Sequence, residues 1–131
     1  MSIVKWAAIV VSVLVLIAAG CRGGMPVYNV TDSPVAASKP NPSVDEVGKA
    51  IQKAGAALGW QMKPTKPGHM LATLNLREHT AVADVTYNAK SFSIQYKDSA
   101  GLKYDGQTIH PQYNNWITNL EKRIRVELTA L

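Results

Sequence analysis

Two stretches of the chain carry apolar residues at the three- and four-residue spacing of an amphipathic helix. The first opens with Ser43 and Glu46, which are placed to form a capping box, and Gly59 supplies a left-handed residue at its end. Its apolar stripe consists of Val44, Val47, Ala50, Ile51, Ala54 and Leu58. The second begins near Pro111, a residue favoured in a first helical turn. Its stripe consists of Tyr113, Trp116, Ile117, Leu120, Ile124 and Leu128.

Between these two helices the apolar period changes to two, which indicates strands. Alternation of apolar and polar side chains is found in residues 60–63, 70–77, 80–87 and 91–97. Residues 64–68 and 88–90 are short turn-like connections, so the segments predict an antiparallel meander of three to four strands. Residues 98–101 and 104–107 also have turn composition. One face of the meander is apolar and the other carries Thr, Ser, Asn, Gln and Asp84, which predicts a sheet covered on one side only.

The predicted order of elements over residues 43–131 is α-β-β-β-β-α. Both amphipathic helices need an apolar surface to pack on, and only one face of the sheet offers it. The predicted fold class is therefore α+β, a two-layer sandwich with the N-terminal and C-terminal helices on one face of the antiparallel meander. Trp60, Phe92, Tyr96 and Trp116 are expected to anchor its core.

A different pattern occupies the start of the chain, where Lys5 precedes an almost uninterrupted apolar run from Trp6 to Gly20. A membrane-spanning helix needs about 20 apolar residues, whereas this run is shorter and stops at Cys21-Arg22-Gly23-Gly24. A buried core helix would carry a polar stripe, but only Ser12 interrupts the run. A cation, a short apolar segment and small residues at its end are instead typical of a secretory signal. Removal of residues 1–20 would leave enough chain for one domain.

The segment Ile17-Ala18-Ala19-Gly20-Cys21 resembles the lipobox of bacterial lipoprotein precursors. This resemblance implies a diacylglyceryl thioether on Cys21, cleavage between Gly20 and Cys21, and acylation of the new amino terminus. The fatty acyl chains would attach the protein to a membrane. Arg22 stands where an aspartate favours retention in the inner membrane of Gram-negative bacteria, so the resemblance implies a periplasm-facing protein directed to the outer membrane.

Residues 21–42 separate this cysteine from the first predicted helix. They hold several prolines and few large apolar side chains, a composition that favours a flexible tether. Within them, residues 27–30 alternate like a short strand, which leaves open that they add to a sheet edge of their own domain or of a partner. The predicted organisation is a signal peptide (1–20), a lipidated cysteine with a Pro-rich tether (21–42) and one periplasmic domain (43–131).

Composition narrows the classes of function. The formal net charge is +5, but the basic residues are scattered rather than arranged in a stripe with interleaved aromatics, which argues against a nucleic-acid binder. Cys21 is the only cysteine, so the chain has no intramolecular disulfide, thiolate zinc site or second redox cysteine. An envelope protein, peptidoglycan or a lipid surface is compatible with the mild positive charge.

Polar and aromatic residues are densest between Tyr96 and Trp116. Within this stretch we single out a candidate recognition surface formed by Asp98, Ser99, Tyr104, Asp105, His110 and Asn114. Ser99, Asp105 and His110 have the side chains of a nucleophile, an orienting acid and a base. The chain has no Gly-x-Ser-x-Gly segment to expose a catalytic serine, and turn formation or bonding to local backbone explains the same residues. We therefore expect no catalytic residues, with an envelope hydrolase using Ser99 or His110 as an alternative.

The three histidines, His69, His79 and His110, are not spaced as a metal-binding set. The sequence therefore predicts neither a metal site nor another cofactor. The polar face of the predicted sheet is either a solvated surface or a shallow binding surface for glycan or peptide.

The region from Trp60 through Leu120 resembles a group of small proteobacterial envelope lipoproteins. Two segments carry the resemblance, Tyr96-Lys97-Asp98-Ser99 and Ile109-His110-Pro111-Gln112-Tyr113-Asn114-Asn115-Trp116-Ile117. That group carries no assigned activity, so the resemblance implies fold and location only. The expected function is that of a lipid-anchored periplasmic lipoprotein serving as a binding or envelope-assembly accessory module, with a peptidoglycan-binding module as an alternative.

Overall fold

Two layers make up the part of the chain that the computed structural model describes, residues 24–131. In chain order the elements are β1 (Met25–Pro26), β2 (Val30–Pro34), α1 (Val44–Ala57), β3 (Gln61–Lys66), β4 (His69–Leu76), β5 (His79–Tyr87), β6 (Ser91–Ala100), β7 (Thr108–Ile109) and α2 (Pro111–Thr129). The main sheet is antiparallel in the order β2-β6-β5-β4-β3, and β1 pairs with β7 in a separate ribbon. The predicted α+β class is confirmed. The predictions for the signal peptide, the cleavage site and Cys21 lie outside the described residues.

Helix α1 begins and ends as its sequence predicts. The Ser43 side chain accepts a hydrogen bond from the Glu46 N–H at 3.0 Å, and the Glu46 carboxylate accepts one from the Ser43 N–H at 2.9 Å. At the other end, the N–H groups of Gly59 and Trp60 donate to the carbonyls of Ala56 and Gly55, a Schellman cap that requires the positive φ of Gly59. The predicted bounds of this helix are therefore confirmed.

The predicted meander corresponds to β3 through β6, which pair in sequence order. Two predicted turns are wrong. Residues 64–66 continue β3 through Pro64, which an edge strand tolerates because it pairs on one side only. Residues 98–100 continue β6, because a bulge near Lys97 shifts the register and lets Ser99 pair with Ala81.

Residues 24–42, predicted as a tether, are instead part of the folded domain. Strand β2 lies antiparallel to β6, with Val30 opposite Ile94 and Ser33 opposite Phe92. Beyond it, the Val35 N–H donates to the Lys90 carbonyl at 2.9 Å, and Lys39 forms an ion pair with Glu46. Backbone pairing with β6 orders this segment although it has few large apolar side chains. The folded domain therefore extends further towards the N-terminus than the predicted boundary at residue 43.

Both edges of the main sheet carry features that discourage further strand pairing. The β3 edge holds Pro64 between exposed Lys63 and Lys66. The β2 edge is irregular at Asp32, whose φ is 49°, and ends at Pro34. Charges, prolines and irregular backbone at an edge oppose pairing with another chain. The exposed face of the sheet, rather than an edge, is thus its accessible surface.

One continuous apolar core joins the sheet to both helices. Trp60 and Phe92 are buried in it as expected, whereas Tyr96 and Trp116 are only partly buried at its margin. Leu102 and Ile109, which lie outside the predicted strands and helices, are also fully buried. Among residues 24–131, no helix is long and apolar enough to cross a membrane.

Candidate functional site

Two residues of the predicted recognition surface stabilise local backbone. The Asp105 carboxylate accepts hydrogen bonds from the N–H groups of Gln107 and Thr108 at 2.9 and 2.7 Å, and from the Thr108 hydroxyl at 2.9 Å. These donors lower the pKa of Asp105. His110 caps α2, where its Nδ1 accepts a hydrogen bond from the Gln112 N–H at 3.0 Å. Both side chains therefore have the structural role that the sequence offered as the alternative to recognition.

Asn114 holds the N-terminal segment on α2. Its side-chain oxygen accepts a hydrogen bond from the Tyr28 N–H, and its amide nitrogen donates to the Pro26 carbonyl, both at 2.9 Å. Nearby, the Tyr28 hydroxyl donates to buried Glu121 at 2.7 Å, and this hydrogen bond raises the pKa of Tyr28. Arg125 bonds Glu121 at 2.7 Å and Ser33 at 3.1 Å. Asn114 and this network fasten residues 26–33 to the C-terminal helix.

Ser99 and Tyr104 belong to an aromatic cluster at the end of β6. The hydroxyls of Ser99 and Tyr96 share a hydrogen bond of 2.7 Å, and the ring of Tyr104 lies 4.1 Å from that of Tyr96. Tyr113 meets Tyr96 edge-on at 5.5 Å, and its buried hydroxyl has no hydrogen-bond partner among the described residues. Burial therefore raises the pKa of Tyr113. Within residues 24–131 no hydrogen bond joins Ser99, Asp105 and His110, so the structure does not link them as a catalytic relay.

Asp98 lies instead on the uncovered face of the main sheet, which we call the open face. Antiparallel register places Thr73, Val82 and Asp98 in one row across β4, β5 and β6. Leu71, Asp84 and Gln95 form a second row, and His69, Thr86 and Ser93 form a third. Most of these side chains are half-buried or exposed. The open face is a shallow polar surface with Leu71 and Val82 near its centre.

A polar relay crosses one end of the open face. His69 contacts the Thr65 hydroxyl through Nδ1 and the Asp84 carboxylate through Nε2, the latter at 3.0 Å. Lys97 lies 3.8 Å from the other Asp84 oxygen. Hydroxyl, imidazole and carboxylate in this order can move a proton, or can present donors and acceptors to a bound polar group.

Sequence reasoning missed this relay because three different strands supply its members. Thr65 lies on β3, His69 on β4 and Asp84 on β5. Alternation places His69 and Asp84 on the polar faces of neighbouring strands, but Thr65 falls in the segment 64–68 that the sequence predicts as a turn. Thr65 reaches His69 because β3 continues through Pro64.

Several grooves lie on the surface of the described residues, and three of them bear on the candidate site. A groove of about 570 Å³ separates the start of α1 from the β3–β4 hairpin and contains Val44, Met70 and Tyr87. A second, of about 530 Å³, lies beside Tyr96 and Tyr104. A smaller groove of about 230 Å³ is lined mainly by apolar side chains, those of Leu58, Trp60, Leu74, Leu76 and Trp116. Among the described residues, no group of three or more His, Cys, Asp or Glu side chains is placed to hold a metal ion.

The two segments on which the predicted resemblance depends both belong to the folded domain. Tyr96–Ser99 spans the bulge of β6, and Ile109–Ile117 covers the end of β7 and the first turns of α2. The chain matches no protein-family model, curated protein or solved structure in the comparisons made. The assignment of function therefore depends on the residues of the chain itself.

Proposed function

We propose that this chain is a lipid-anchored protein of the bacterial cell envelope whose folded domain is a binding or assembly-accessory module. The observation that carries the proposal is the apolar leader ending at Cys21, the only cysteine of the chain. Several acyl chains on one residue bind a bilayer firmly, since each buried methylene contributes about 0.8 kcal/mol. Arg22 in place of aspartate favours the outer membrane as the destination.

The open face supports the binding role. Both helices pack on the opposite side, so this face is the large regular surface left to solvent, and its polar groups are held by cross-strand partners. Thr, Ser, Gln and Asp side chains around an apolar centre suit a polar polymer or a protein partner. An envelope protein is the first choice of partner and peptidoglycan the second.

The test of anchoring uses Cys21→Ser. Cells supplied with a clickable fatty acid should label the native protein but not the variant, and the variant should leave the membrane fraction. Ser12→Ala is the matched control, because it keeps both the leader and Cys21. Lipid labelling that persists in the Cys21→Ser variant would refute the proposal, as would an intact mass showing an unmodified Cys21 thiol.

The test of binding uses charge reversal on the open face. Lys97→Glu alters this face, and Lys49→Glu makes the same change on exposed helix α1. We expect crosslinking and pull-down from native membranes to capture the partner with the Lys49→Glu variant but not with the Lys97→Glu variant. Co-sedimentation with isolated peptidoglycan distinguishes the cell wall from a protein partner. Equal capture by both variants would exclude the open face.

A second candidate function, an envelope hydrolase, is favoured by the relay of Thr65, His69 and Asp84. In this hypothesis the relay replaces Ser99 and His110 as the candidate catalytic residues, because those two side chains form hydrogen bonds with other partners. Turnover of ester or amide substrates by the purified protein, abolished by both Thr65→Ala and His69→Ala, would support it. Turnover that persists in those variants, or is absent from the native protein, would exclude it.

A further inference from the structure

We infer that one end of the domain, the anchor pole, rests on the lipid surface with Leu58 and Leu76 inserted among the headgroups. The anchor pole comprises Gly24, the end of α1 at Leu58, the β4–β5 turn, the loop 101–107 and the start of α2 at His110. The inference rests on the proposed lipid anchor at Cys21. It adds the orientation of the domain and the residues that touch the membrane.

Direct contacts show that these elements meet at one end of the molecule. Gly24 lies so close to Thr108 that a Cβ added to Gly24 would overlap the Thr108 side chain. His79, directly after the β4–β5 turn, contacts the Gly101 carbonyl at 2.9 Å, and its ring lies 6.2 Å from that of His110. The His79 ring also lies 6.3 Å from Trp116, which lines the apolar groove with Leu58 and Leu76.

Of the seven large apolar side chains exposed among the described residues, four lie at or beside this pole, whereas Tyr28, Val44 and Val126 are distributed elsewhere. Leu58 is 37% exposed, Leu76 43%, Tyr104 42% and Met25 48%. The apolar groove between Leu58 and Leu76, with Trp60 and Trp116 in its wall, continues this surface. Leucine with tryptophan and tyrosine is the combination that favours the boundary between headgroups and acyl chains.

The length of the connection to Cys21 identifies lipid as the occupant of this surface. Only Arg22 and Gly23 separate Cys21 from Gly24. Three Cα–Cα steps span about 11 Å at most. A lipidated Cys21 therefore holds Gly24 at the headgroup level, and the pole that contains Gly24 is the part of the domain nearest the bilayer.

Charge at the pole indicates that apolar insertion dominates. Exposed Arg77 and Lys103 are balanced by exposed Glu78 and Asp105. A polybasic patch would give each cation about 1 kcal/mol on an anionic membrane, but this balanced set gains little, even with the single charge of Arg22 beside Cys21 added. We therefore expect the same orientation on zwitterionic and anionic vesicles.

The experiment measures the depth of two spin labels in the lipidated full-length protein. Leu76→Cys lies at the anchor pole, and Val44→Cys, at the opposite end of α1, is the control with similar exposure of 40%. The 14 residues of α1 separate Val44 from the anchor pole by about 20 Å. Lipidation consumes the thiol of Cys21, so the nitroxide reacts with the introduced cysteine alone.

On phosphatidylcholine vesicles, the label at position 76 should be several-fold less accessible to a water-soluble relaxation agent than the label at position 44. A second measurement needs no substitution. Lipids brominated near the headgroup should quench the fluorescence of Trp60 and Trp116 at the anchor pole. Adding phosphatidylglycerol should change neither result.

The intact mass of the protein first establishes whether Cys21 is acylated. A protein without the lipid anchor is therefore distinguished from an anchored protein with a different orientation. If acylated protein shows equal accessibility at positions 76 and 44, the orientation is wrong while the anchor stands. Protection of position 76 that appears only after addition of a membrane-protein extract would also overturn the inference, because a protein would then cover the pole.

Discussion

At the scale of single residues, Gly55 determines how closely α1 approaches the sheet. A Cβ at this position would overlap the Met62 side chain. We predict that Gly55→Ala destabilises the domain by about 1–3 kcal/mol through overpacking, although alanine favours a helix by about 1 kcal/mol over glycine. Urea unfolding measures the change. Adding Met62→Ala should recover part of the loss, and a stabilising Gly55→Ala would contradict this packing.

Tyr113 carries a buried hydroxyl without a hydrogen-bond partner among the described residues. We predict that Tyr113→Phe leaves the unfolding free energy unchanged or raises it by about 1 kcal/mol, because the hydroxyl loses hydration and gains no bond on folding. Tyr96→Phe is the matched control, since it removes the hydrogen bond to Ser99, and should lower the unfolding free energy. A loss of stability in Tyr113→Phe would show that its hydroxyl is bonded.

The same residue predicts a dependence on alkaline pH. Its folded-state pKa is raised above the ordinary value of 10.0, so the unfolded state releases the phenolic proton at lower pH than the folded state. Ionisation of Tyr113 therefore leaves the free energy of unfolding unchanged below about pH 10 and lowers it above that pH. Unfolding midpoints of the native protein should therefore fall more steeply above pH 10 than those of Tyr113→Phe. Parallel curves would refute the assignment.

At the scale of elements, the segment β1–β2 depends on α2 for its position. We predict that Asn114→Ala, which removes two hydrogen bonds to residues 26 and 28, accelerates amide hydrogen exchange at positions 28 to 33 by about tenfold, equivalent to about 1.4 kcal/mol of local stability. Asn115→Ala, at an exposed neighbouring position, is the control and should leave exchange unchanged. Equal exchange in both variants would mean that Asn114 does not hold β2 in place.

Elements with local signals were predictable, and those built from distant pairing were not. The caps of α1, Pro111 at the start of α2 and the four-strand meander follow from neighbouring residues. For β2, the alternation of residues 27–30 left open that this segment adds to a sheet edge of its own domain. The strand spans Val30–Pro34 instead, and its bounds were not predictable because it joins the sheet through backbone hydrogen bonds to β6. The bulge near Lys97 and the continuation of β3 that brings Thr65 to His69 were likewise visible only in the folded chain.

At the scale of the whole molecule, the protected sheet edges predict a domain that does not polymerise through its strands. The double variant Lys63→Val, Lys66→Val should increase self-association, because it leaves the β3 edge more apolar and uncharged. Lys49→Val with Lys53→Val removes the same charge from exposed positions of α1. Sedimentation velocity should detect larger species for the β3 variant alone. Equal behaviour of both would mean that net charge, not edge protection, keeps the protein dispersed.

The N-terminal strands have a consequence for the order of events during biogenesis. Val30 is partnered by Ile94, and Met25 by Ile109. Because closing such long loops is slow, the first part of the domain to be synthesised waits for one of the last parts to arrive. If Cys21 is lipidated as proposed, the modifying enzymes would therefore act before the strands next to it have paired.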